Sequence, residues 1–288
     1  MGSEMCIRDR LYSSDGSFKQ KLNVSSDDRW KFTGMTEPEF LTVNAKNNQP
    51  LDAMIIRPPG FDPNKKYPVL IHVYSGPQAP TVRNRFGNEW TMWHQMLAQQ
   101  GVVIWSCENQ SASYRSAKNA WPIHRDLGRN ELADIELGIE WLKQQSWVDA
   151  DRIGIWGWSY GGYMASYALT HSKSFKLGIA GAPVTDWRNY DTIYTERFMG
   201  LPQDNPEGYD ASSVVKAAAD LSGKLLIIHG SIDDNVHLSN TMQLALALQN
   251  AGKQFDLMIY PQNRHAIRKT DQAAHLRKLM YDFVMENL

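Results

Sequence analysis

The chain has little cysteine, no excess charge of either sign and no long apolar run. Cys6 and Cys107 are its two cysteines, which excludes a disulfide framework and a cysteine-rich zinc site. The 30 basic and 31 acidic side chains nearly cancel, so bulk charge does not favour a nucleic-acid partner. No apolar stretch approaches the roughly 18 residues of a membrane-spanning helix, and we therefore expect no membrane segment.

Metal-binding motifs are missing as well. The sequence holds no H-E-x-x-H pattern or comparable spacing, so a metal-dependent hydrolase is disfavoured and we expect no metal and no other cofactor. Apolar residues make up 42% of the 288 residues, which is enough for one α/β domain with a single core. Cys107 follows the apolar stretch 102–105 and is expected to be a small core residue.

The N-terminal segment differs from the rest of the chain. Residues 1–10, MGSEMCIRDR, have no periodicity and no apolar region of the kind that a signal peptide carries. They resemble a translated adapter sequence of the kind found at the ends of metagenomic gene models, and residues 11–17 resemble a strand and turn left from an upstream segment. We therefore interpret 1–30 as a non-native start with such a remnant, and 31–288 as the folded domain.

Strand-like and helix-like segments alternate from about Trp30 to the C-terminus, which predicts a mostly parallel twisted sheet with helices on both faces. The near-continuous apolar stretch 67–74 is typical of a strand buried on both faces, and 40–43 with 51–56 forms an antiparallel pair before it. The remaining predicted elements are helices at 87–99, 129–144 and 271–285 and strands at 102–105, 152–156, 175–182, 225–229 and 255–260. Within the helix at 129–144, four apolar side chains share one face: Leu132, Ile135, Ile139 and Leu142.

The most informative motif is Gly157-Trp158-Ser159-Tyr160-Gly161-Gly162, between a predicted strand and a predicted helix. G-x-S-x-G in this setting is the nucleophile elbow of α/β-hydrolases, a sharp turn that exposes the serine above the sheet. Glycines are needed because a Cβ beside the nucleophile would clash where the backbone reverses. The helix that follows presents free N–H groups that favour negative charge. We therefore predict that Ser159 is the catalytic nucleophile of an α/β-hydrolase fold.

An acid and a base follow Ser159 in the order that this fold requires. Asp233 comes just after the predicted strand 225–229, and His265 just after the strand 255–260, at the carboxyl ends of strands where such sheets build their sites. Ser159 is a weak nucleophile unless His265 takes its proton. Asp233 would fix the tautomer of that imidazole and stabilise the imidazolium. The predicted catalytic residues are therefore Ser159, Asp233 and His265.

Four neighbouring side chains are rivals for these roles. Asp234 could replace Asp233 as the acid, because both follow the same strand. His229 and His237 could replace the base, but neither follows the last strand. We expect His229 to be a structural residue that ends a strand, and His237 to be a hydrogen-bonded loop residue at the start of the next helix. Ser75 also follows a strand, yet it lacks the elbow glycines.

These motifs resemble the catalytic domain of the prolyl oligopeptidase family, and specifically its dipeptidyl peptidase IV branch. The resemblance runs over roughly 30–288 and is carried by four separated segments in the family's order. They are Val-Tyr-Ser-Gly-Pro at 73–77, the elbow at 157–162, the segment 190–200 and His-Gly-Ser-Ile-Asp-Asp-Asn-Val-His at 229–237. The resemblance implies that 31–288 is the catalytic domain of a serine peptidase directed at proline or alanine.

By this resemblance Tyr74 would donate its hydroxyl to the oxyanion, beside the backbone N–H of Tyr160. The N–H after the nucleophile is an expected donor on general grounds too, and one such donor stabilises the transition state by about 3–4 kcal/mol. Asn235 matches a residue that binds the substrate carbonyl one position further back. Five side chains match the family's small apolar pocket for proline or alanine, although helical spacing alone would assign Tyr190 and Tyr194 to the core: Val184, Trp187, Tyr190, Tyr194 and Val236.

Two features depart from the family pattern. The family's upstream β-propeller, whose acidic pair holds the substrate's N-terminus in the dipeptidyl peptidase branch, has no counterpart in this sequence. The usual Arg-Gly-x-Gly stretch is replaced by Glu108-Asn109-Gln110-Ser111-Ala112-Ser113. The sequence therefore supports triad chemistry but not dipeptidyl specificity, and we expect an open site that excludes water less well.

The leading hypothesis is a serine-type peptidase that works through an acyl-enzyme. A carboxylesterase for short-chain esters is the alternative within the same chemistry, because the leaving group of an ester departs more easily than that of an amide. A non-catalytic binding module of the same fold is the third hypothesis. The expected partner is a short peptide or a small ester as substrate, and the ten tryptophans lead us to expect some self-association into a homo-oligomer.

Overall fold

The computed structural model describes residues 10–21, 34–84, 89–113 and 115–288; the expectations for residues 1–9 and for a helix start at Gly87 lie outside these ranges. Within them the chain forms a two-stranded and an eight-stranded sheet. The strands are β1 (Arg10–Tyr12), β2 (Phe18–Lys21), β3 (Glu39–Asn44), β4 (Pro50–Ile56), β5 (Tyr67–His72), β6 (Val103–Cys107), β7 (Val148–Trp158), β8 (Leu177–Gly181), β9 (Lys224–Gly230) and β10 (Asp256–Tyr260). The α-helices of these ranges are α1 (Glu89–Gln99), α2 (Arg129–Lys143), α3 (Tyr160–His171), α4 (Thr192–Met199), α5 (Pro206–Ala211), α6 (Ser239–Asn250) and α7 (Thr270–Asn287).

The strand order of the larger sheet places the candidate site. It runs β10-β9-β8-β7-β5-β6-β4-β3. Strands β5 to β10 pair parallel with one another, whereas β4 pairs antiparallel with both β3 and β6. The prediction of a mostly parallel α/β-hydrolase sheet is confirmed, and the carboxyl ends of β5, β7, β9 and β10 consequently meet at one edge.

Alternation along the buried strands divides the core into two layers. In β5, Val69 and Ile71 face one cluster and Leu70 faces the other, as the two-residue period of a strand requires. The first cluster packs α2, α3 and α6 onto the sheet, and the second packs α1 and α7. The apolar face predicted for α2 is buried in the first cluster, as is Cys107, a free thiol.

Most element boundaries agree closely with the sequence predictions. Strand β7 is longer than predicted because Val148 pairs with Tyr67, a contact that local periodicity does not reveal. Helix α6 begins at Ser239, two residues later than expected, and His237 lies in the loop before it with its Nδ1 3.0 Å from the Ser239 hydroxyl, as expected of a hydrogen-bonded loop residue. Residues 10–21 form two strands around a turn, where a strand and turn were expected. In the described ranges no helix combines the length and the apolar character needed to cross a membrane.

Candidate active site

Ser159 lies in a strained turn between β7 and α3. Its backbone has φ 63° and ψ −119°, and a non-glycine residue with positive φ is uncommon. The turn is held from both sides, because the Ser159 N–H donates to the Gly181 carbonyl at 2.8 Å and the Ser159 carbonyl accepts from the Tyr163 N–H at 2.9 Å. The strained serine between strand and helix is the geometry that the elbow motif predicts.

Gly157 and Gly161, two residues before and two after Ser159, are required by close backbone approach. A Cβ on Gly157 would lie 2.5 Å from the Gly161 carbonyl group and equally close to the Val73 carbonyl oxygen. A Cβ on Gly161 would lie 2.3 Å from that same oxygen. Neither contact is tolerable, so α3 can start directly against the turn after β5 only with glycine at both positions.

The Tyr74 phenol and the backbone N–H of Tyr160 both lie beside Ser159. Tyr74 follows β5, the neighbour of β7. Burial raises the pKa of the Tyr74 phenol, and a hydrogen bond with the Ser159 side chain opposes that rise, so the phenol stays protonated and can donate near neutral pH. Tyr160 begins α3, and its N–H is one of the helix-start donors that have no intrahelical partner.

Asp233 and His265 are joined by a hydrogen bond beyond the ends of β9 and β10. Nδ1 of His265 lies 2.8 Å from Oδ2 of Asp233. The Asp233 side chain is fully buried, whereas that of His265 is 25% exposed. The His265 carbonyl accepts from the indole N–H of Trp158 at 2.8 Å, which ties this loop to the residue before Ser159. Because Nδ1 donates to the carboxylate, Nε2 is left as a proton acceptor.

The surroundings of Asp233 keep its carboxyl ionised. Oδ1 accepts from the backbone N–H groups of Asn235 and Val236 at 2.9 and 3.0 Å. Burial alone would raise the pKa of Asp233, but hydrogen bonds from His229, from His265 and from the Asn235 N–H hold that pKa well below its ordinary value. Asp233 therefore carries a full negative charge beside the His265 ring throughout the neutral pH range.

The rival acid and the rival nucleophile have other surroundings. Asp234 is exposed and pairs with Arg264, so its carboxylate is directed to a guanidinium instead of an imidazole. Ser75 is buried, and it sits in the turn after β5 with φ 67°. Neither side chain shares the hydrogen bond that links Asp233 to His265.

The two other histidines of this region differ from each other. His237 is exposed, and its Nδ1 lies 3.0 Å from the Ser239 hydroxyl. His229 is the last residue but one of β9, close to the strand end that the sequence predicts, and its buried ring also reaches Asp233, with Nε2 3.2 Å from Oδ2. Sequence reasoning missed this contact; the four-residue spacing between His229 and Asp233 was its only local sign.

Ser159 and His265 open into one cavity of about 610 Å³. Tyr74 and Asn235 contribute to its wall. Aromatic and imidazole rings also line it, those of His72, Trp90, His94, Trp156 and Trp158. The Ser159 hydroxyl, the His265 imidazole and the Tyr74 phenol therefore share one chamber that a ligand can enter.

The residues predicted to hold the substrate form a tyrosine cluster beside this chamber. Tyr190 and Tyr194 are half-buried and meet edge to face, with ring centroids 5.5 Å apart. Trp187 contacts both rings from the core, and Val184 and Val236 are also buried. The hydroxyl of Tyr190 donates to Oδ1 of Asn235 at 2.9 Å, which leaves the exposed Asn235 amide N–H group free to donate outward.

Sequence reasoning also missed a buried carboxyl that holds Tyr160. Glu131, in the first turn of α2, is fully buried. Its Oε1 accepts from the Tyr160 hydroxyl at 2.6 Å and its Oε2 from the Gly128 N–H at 3.0 Å. Glutamate at the third position of a helix signals a capping interaction, but nothing local identifies a tyrosine so far along the chain.

Glu131 should make the stability of this protein depend on pH. Burial raises the pKa of Glu131 to about 7, against hydrogen bonds from Tyr160 and from the Gly128 N–H. The ordinary pKa is 4.5, so between pH 4.5 and about 7 the folded protein keeps a proton on Glu131 that the unfolded chain has lost. The free energy of unfolding therefore falls as the pH rises through this window, and it levels off above it. Glu131→Gln removes this titration. We expect the unfolding free energy of the variant, relative to that of the wild type, to rise by about 3 kcal/mol from pH 4.5 to pH 7. Urea unfolding at a series of pH values measures this difference.

The matched control for this measurement is Glu140→Gln, on the exposed side of the same helix. A difference in unfolding free energy between Glu131→Gln and the wild type that stays constant from pH 4.5 to 8 would contradict the prediction.

The stretch that departs from the family pattern braces the loop that carries Tyr74. The buried Glu108 carboxylate accepts from two backbone N–H groups of that loop. The Asn109 amide donates to the Ser75 carbonyl at 3.3 Å, and the Ser111 carbonyl accepts from the Gln78 N–H at 2.8 Å. Residues of unusual type at 108–113 thus still hold the Tyr74 loop in place.

Comparisons with known proteins agree on one family. A model of the prolyl oligopeptidase family matches residues 89–288. Dipeptidyl peptidase 8 of Mus musculus is 39% identical over 258 residues, which cover 88% of this chain and 29% of that protein. The probable dipeptidyl-aminopeptidase B of Coccidioides posadasii is 42% identical over 216 residues, or 73% of this chain and 23% of that protein.

A solved structure gives the same picture in three dimensions. The crystal structure of dipeptidyl peptidase 4 from Porphyromonas gingivalis matches with a TM-score of 0.89 and 38% identity, and covers 96% of this chain and 39% of that chain. The chain therefore spans less than a third of the length of the two curated relatives described above and well under half of this one.

Proposed function

The chain belongs to the prolyl oligopeptidase family, and from this premise we propose that it is the hydrolase domain of a serine peptidase that cleaves peptides after proline or alanine through an acyl-enzyme. Family membership confirms the resemblance that the four sequence segments indicated. The observation that carries the proposal is the meeting of three strand ends, where strained Ser159 and the Asp233–His265 hydrogen bond serve one cavity. Dipeptidyl peptidases among the relatives support the same activity.

The proposed reaction starts with acylation. Oγ of Ser159 bonds to the carbonyl carbon of the substrate while Nε2 of His265 takes the hydroxyl proton. The imidazolium that forms is stabilised by the buried Asp233 carboxylate. The tetrahedral intermediate then collapses, its C–N bond breaks, and His265 returns the proton to the leaving amine. Water repeats the sequence, with Ser159 as the leaving group.

The oxyanion of that intermediate would be held by the Tyr160 N–H and the Tyr74 hydroxyl. Tyr74→Phe keeps the ring and removes the O–H donor. We expect kcat to fall by about 10²–10³-fold with a much smaller change in KM, because the donor acts on charge that develops only in the transition state. Steady-state hydrolysis of a chromogenic substrate measures both constants.

Tyr67→Phe, at the other end of β5, is the matched control, since its hydroxyl accepts from the Asp62 N–H at a distance from Ser159. A Tyr74→Phe enzyme with wild-type kcat would remove Tyr74 from the proposed reaction.

The tyrosine cluster supports the choice of substrate. Half-buried Tyr190 and Tyr194, backed by Trp187, offer an apolar surface of the size and stiffness that suits the ring of proline or the methyl of alanine. Asn235, fixed by its bond to Tyr190, would donate its amide to the substrate carbonyl one residue further back. The assignment of these positions as substrate contacts is part of the proposal.

Paired hydrolysis of Gly-Pro p-nitroanilide and a short-chain p-nitrophenyl ester tests the proposal. Active sites are first titrated with a fluorophosphonate, so that both rates refer to the same number of sites. We expect cleavage of both substrates and, by mass spectrometry of the labelled protein, a modification at Ser159.

The other outcomes select the other hypotheses. Ester cleavage without anilide cleavage would favour a carboxylesterase, an alternative that the open cavity beside Ser159 supports, because amide cleavage depends more strongly on how the substrate is oriented. A folded protein that reacts with neither substrate nor the fluorophosphonate would favour a non-catalytic binding module.

A further inference from the structure

The protonation of the buried His229 ring can be deduced from its three contacts. Its Nε2 lies 2.8 Å from the Val236 carbonyl oxygen and 3.2 Å from Oδ2 of Asp233, and its Nδ1 lies 2.8 Å from the Thr241 hydroxyl. A carbonyl oxygen can only accept, so Nε2 carries a proton. In the neutral ring Nδ1 is then an acceptor and Thr241 donates to it. The single Nε2–H is thus shared between the Val236 carbonyl and, at the longer distance, Oδ2 of Asp233, the acid of the proposed triad.

We propose that His229 is a positioning residue for the reaction. By donating to Oδ2 of Asp233, it holds that oxygen in place beside His265 and stabilises part of its negative charge; we call this contact the clamp. The role of His229 in the reaction rests on the proposed function, whereas its contact with Asp233 does not depend on that function.

The division of donors around Asp233 gives this contact its importance. The backbone N–H groups of Asn235 and Val236 both donate to Oδ1. Among the described residues, the hydrogen bonds to Oδ2 come from two imidazoles, His265 and His229. His265 is partly exposed and must transfer protons during the reaction, so it cannot also be the rigid donor that holds the carboxylate in position.

His229 is suited to be that rigid donor. Its ring is fully buried and is tied to three parts of the fold: to β9 through its own backbone, to the acid loop through the Val236 carbonyl, and to α6 through Thr241. A rigid donor that is held by neighbouring side chains is what pre-organises a catalytic group. The titratable groups that face Asp233 are His229, His265 and, from the loop before α4, Tyr190; the Asp234–Arg264 pair lies exposed on the adjoining loops.

Loss of the His229 donor should change the base as well as the acid. Without it, more of the negative charge on Oδ2 is directed at His265, and the imidazolium is better stabilised. The ionisation of His265 then moves to higher pH, while its ring is held less firmly. A residue that only supported folding would lower the amount of active protein and leave this ionisation unchanged.

The test compares His229→Leu, which removes both ring nitrogens, with His229→Gln, whose amide N–H₂ can occupy the place of Nε2–H. For His229→Leu we expect kcat/KM to fall by about 10-fold and the acid limb of its pH profile to move up by roughly half a unit. His229→Gln should restore most of both. His237→Gln, in the exposed loop, is the matched control. Melting temperatures of all variants identify any loss of folding.

An NMR titration of His265 in the same variants separates this proposal from the proposed function. A shifted titration in a protein without hydrolytic activity would leave the clamp in place and overturn the function. An unshifted titration and acid limb in folded His229→Leu would overturn the clamp, as would a fall in rate that His229→Gln does not reverse. If His229→Leu does not fold, His229→Asn takes its place, because its amide reaches the Nδ1 position beside Thr241 and supplies no donor at the Nε2 position. A His265 titration and an acid limb that are unshifted in folded His229→Asn would overturn the clamp.

Discussion

Ser159→Ala is expected to lower the rate of hydrolysis by about 10⁶-fold and to abolish labelling by a fluorophosphonate. The substitution removes the oxygen that bonds to the substrate and leaves the rest of the site in place. The turn should survive it, because alanine and serine are equally strained at φ 63°. The small rate that remains would come from binding and from the two oxyanion donors, Tyr74 and the Tyr160 N–H.

The measurement is kcat for the p-nitrophenyl ester, together with labelling followed by mass spectrometry. Ser146→Ala is the control, since Ser146 is exposed just before the start of β7 and thus lies at the opposite end of that strand. If Ser159→Ala retained labelling, or turned over the ester within about tenfold of the wild-type rate, the nucleophile would be another residue and the proposed mechanism would fail.

The sequence predicts those parts of the site that are encoded locally. The elbow is one, because glycine at 157 and 161 reports backbone contacts so close that no Cβ fits there. Asp233 and His265 are two more, since each follows an apolar strand and parallel strands end at one edge of the sheet. The choice of Asp233 over Asp234 is finer than periodicity can decide; in the fold it depends on two backbone N–H groups that hold one oxygen of Asp233.

The parts that sequence reasoning missed depend on contacts between distant segments. Glu131 reads as a polar residue at a helix start, but in the fold it is buried and holds the hydroxyl of Tyr160. His229 reads as the end of a strand, and its contact with Asp233 needs the loop after β9 to fold back over it. Both are polar side chains at buried positions, and a search for apolar periodicity does not identify such positions. Their hydrogen bonds nevertheless determine the geometry of the site.

Asp233→Asn is expected to lower kcat by about 10⁴-fold, and the donors around this side chain explain why so small a change should cost so much. The backbone N–H groups of Asn235 and Val236 both point at the Oδ1 position, so the amide oxygen of asparagine must occupy it. The amide N–H₂ group is then forced into the place of Oδ2. There it faces Nδ1 of His265, which can only remain in contact by giving up its proton and accepting.

That reversal moves the remaining ring proton of His265 to Nε2, where it faces Ser159 and prevents the imidazole from acting as a base. The amide would also meet the Nε2–H of His229, a donor against a donor, so the variant should lose stability as well as activity. Single-turnover acylation by the ester measures the chemical step, and Asp234→Asn is the matched control because that carboxylate pairs with Arg264. Acylation that slows in Asp234→Asn and persists in Asp233→Asn would reverse the assignment. Acylation that slows in Asp233→Asn but recovers at high pH, where deprotonation no longer depends on the ring, would locate the defect in the tautomer and not in the binding of substrate.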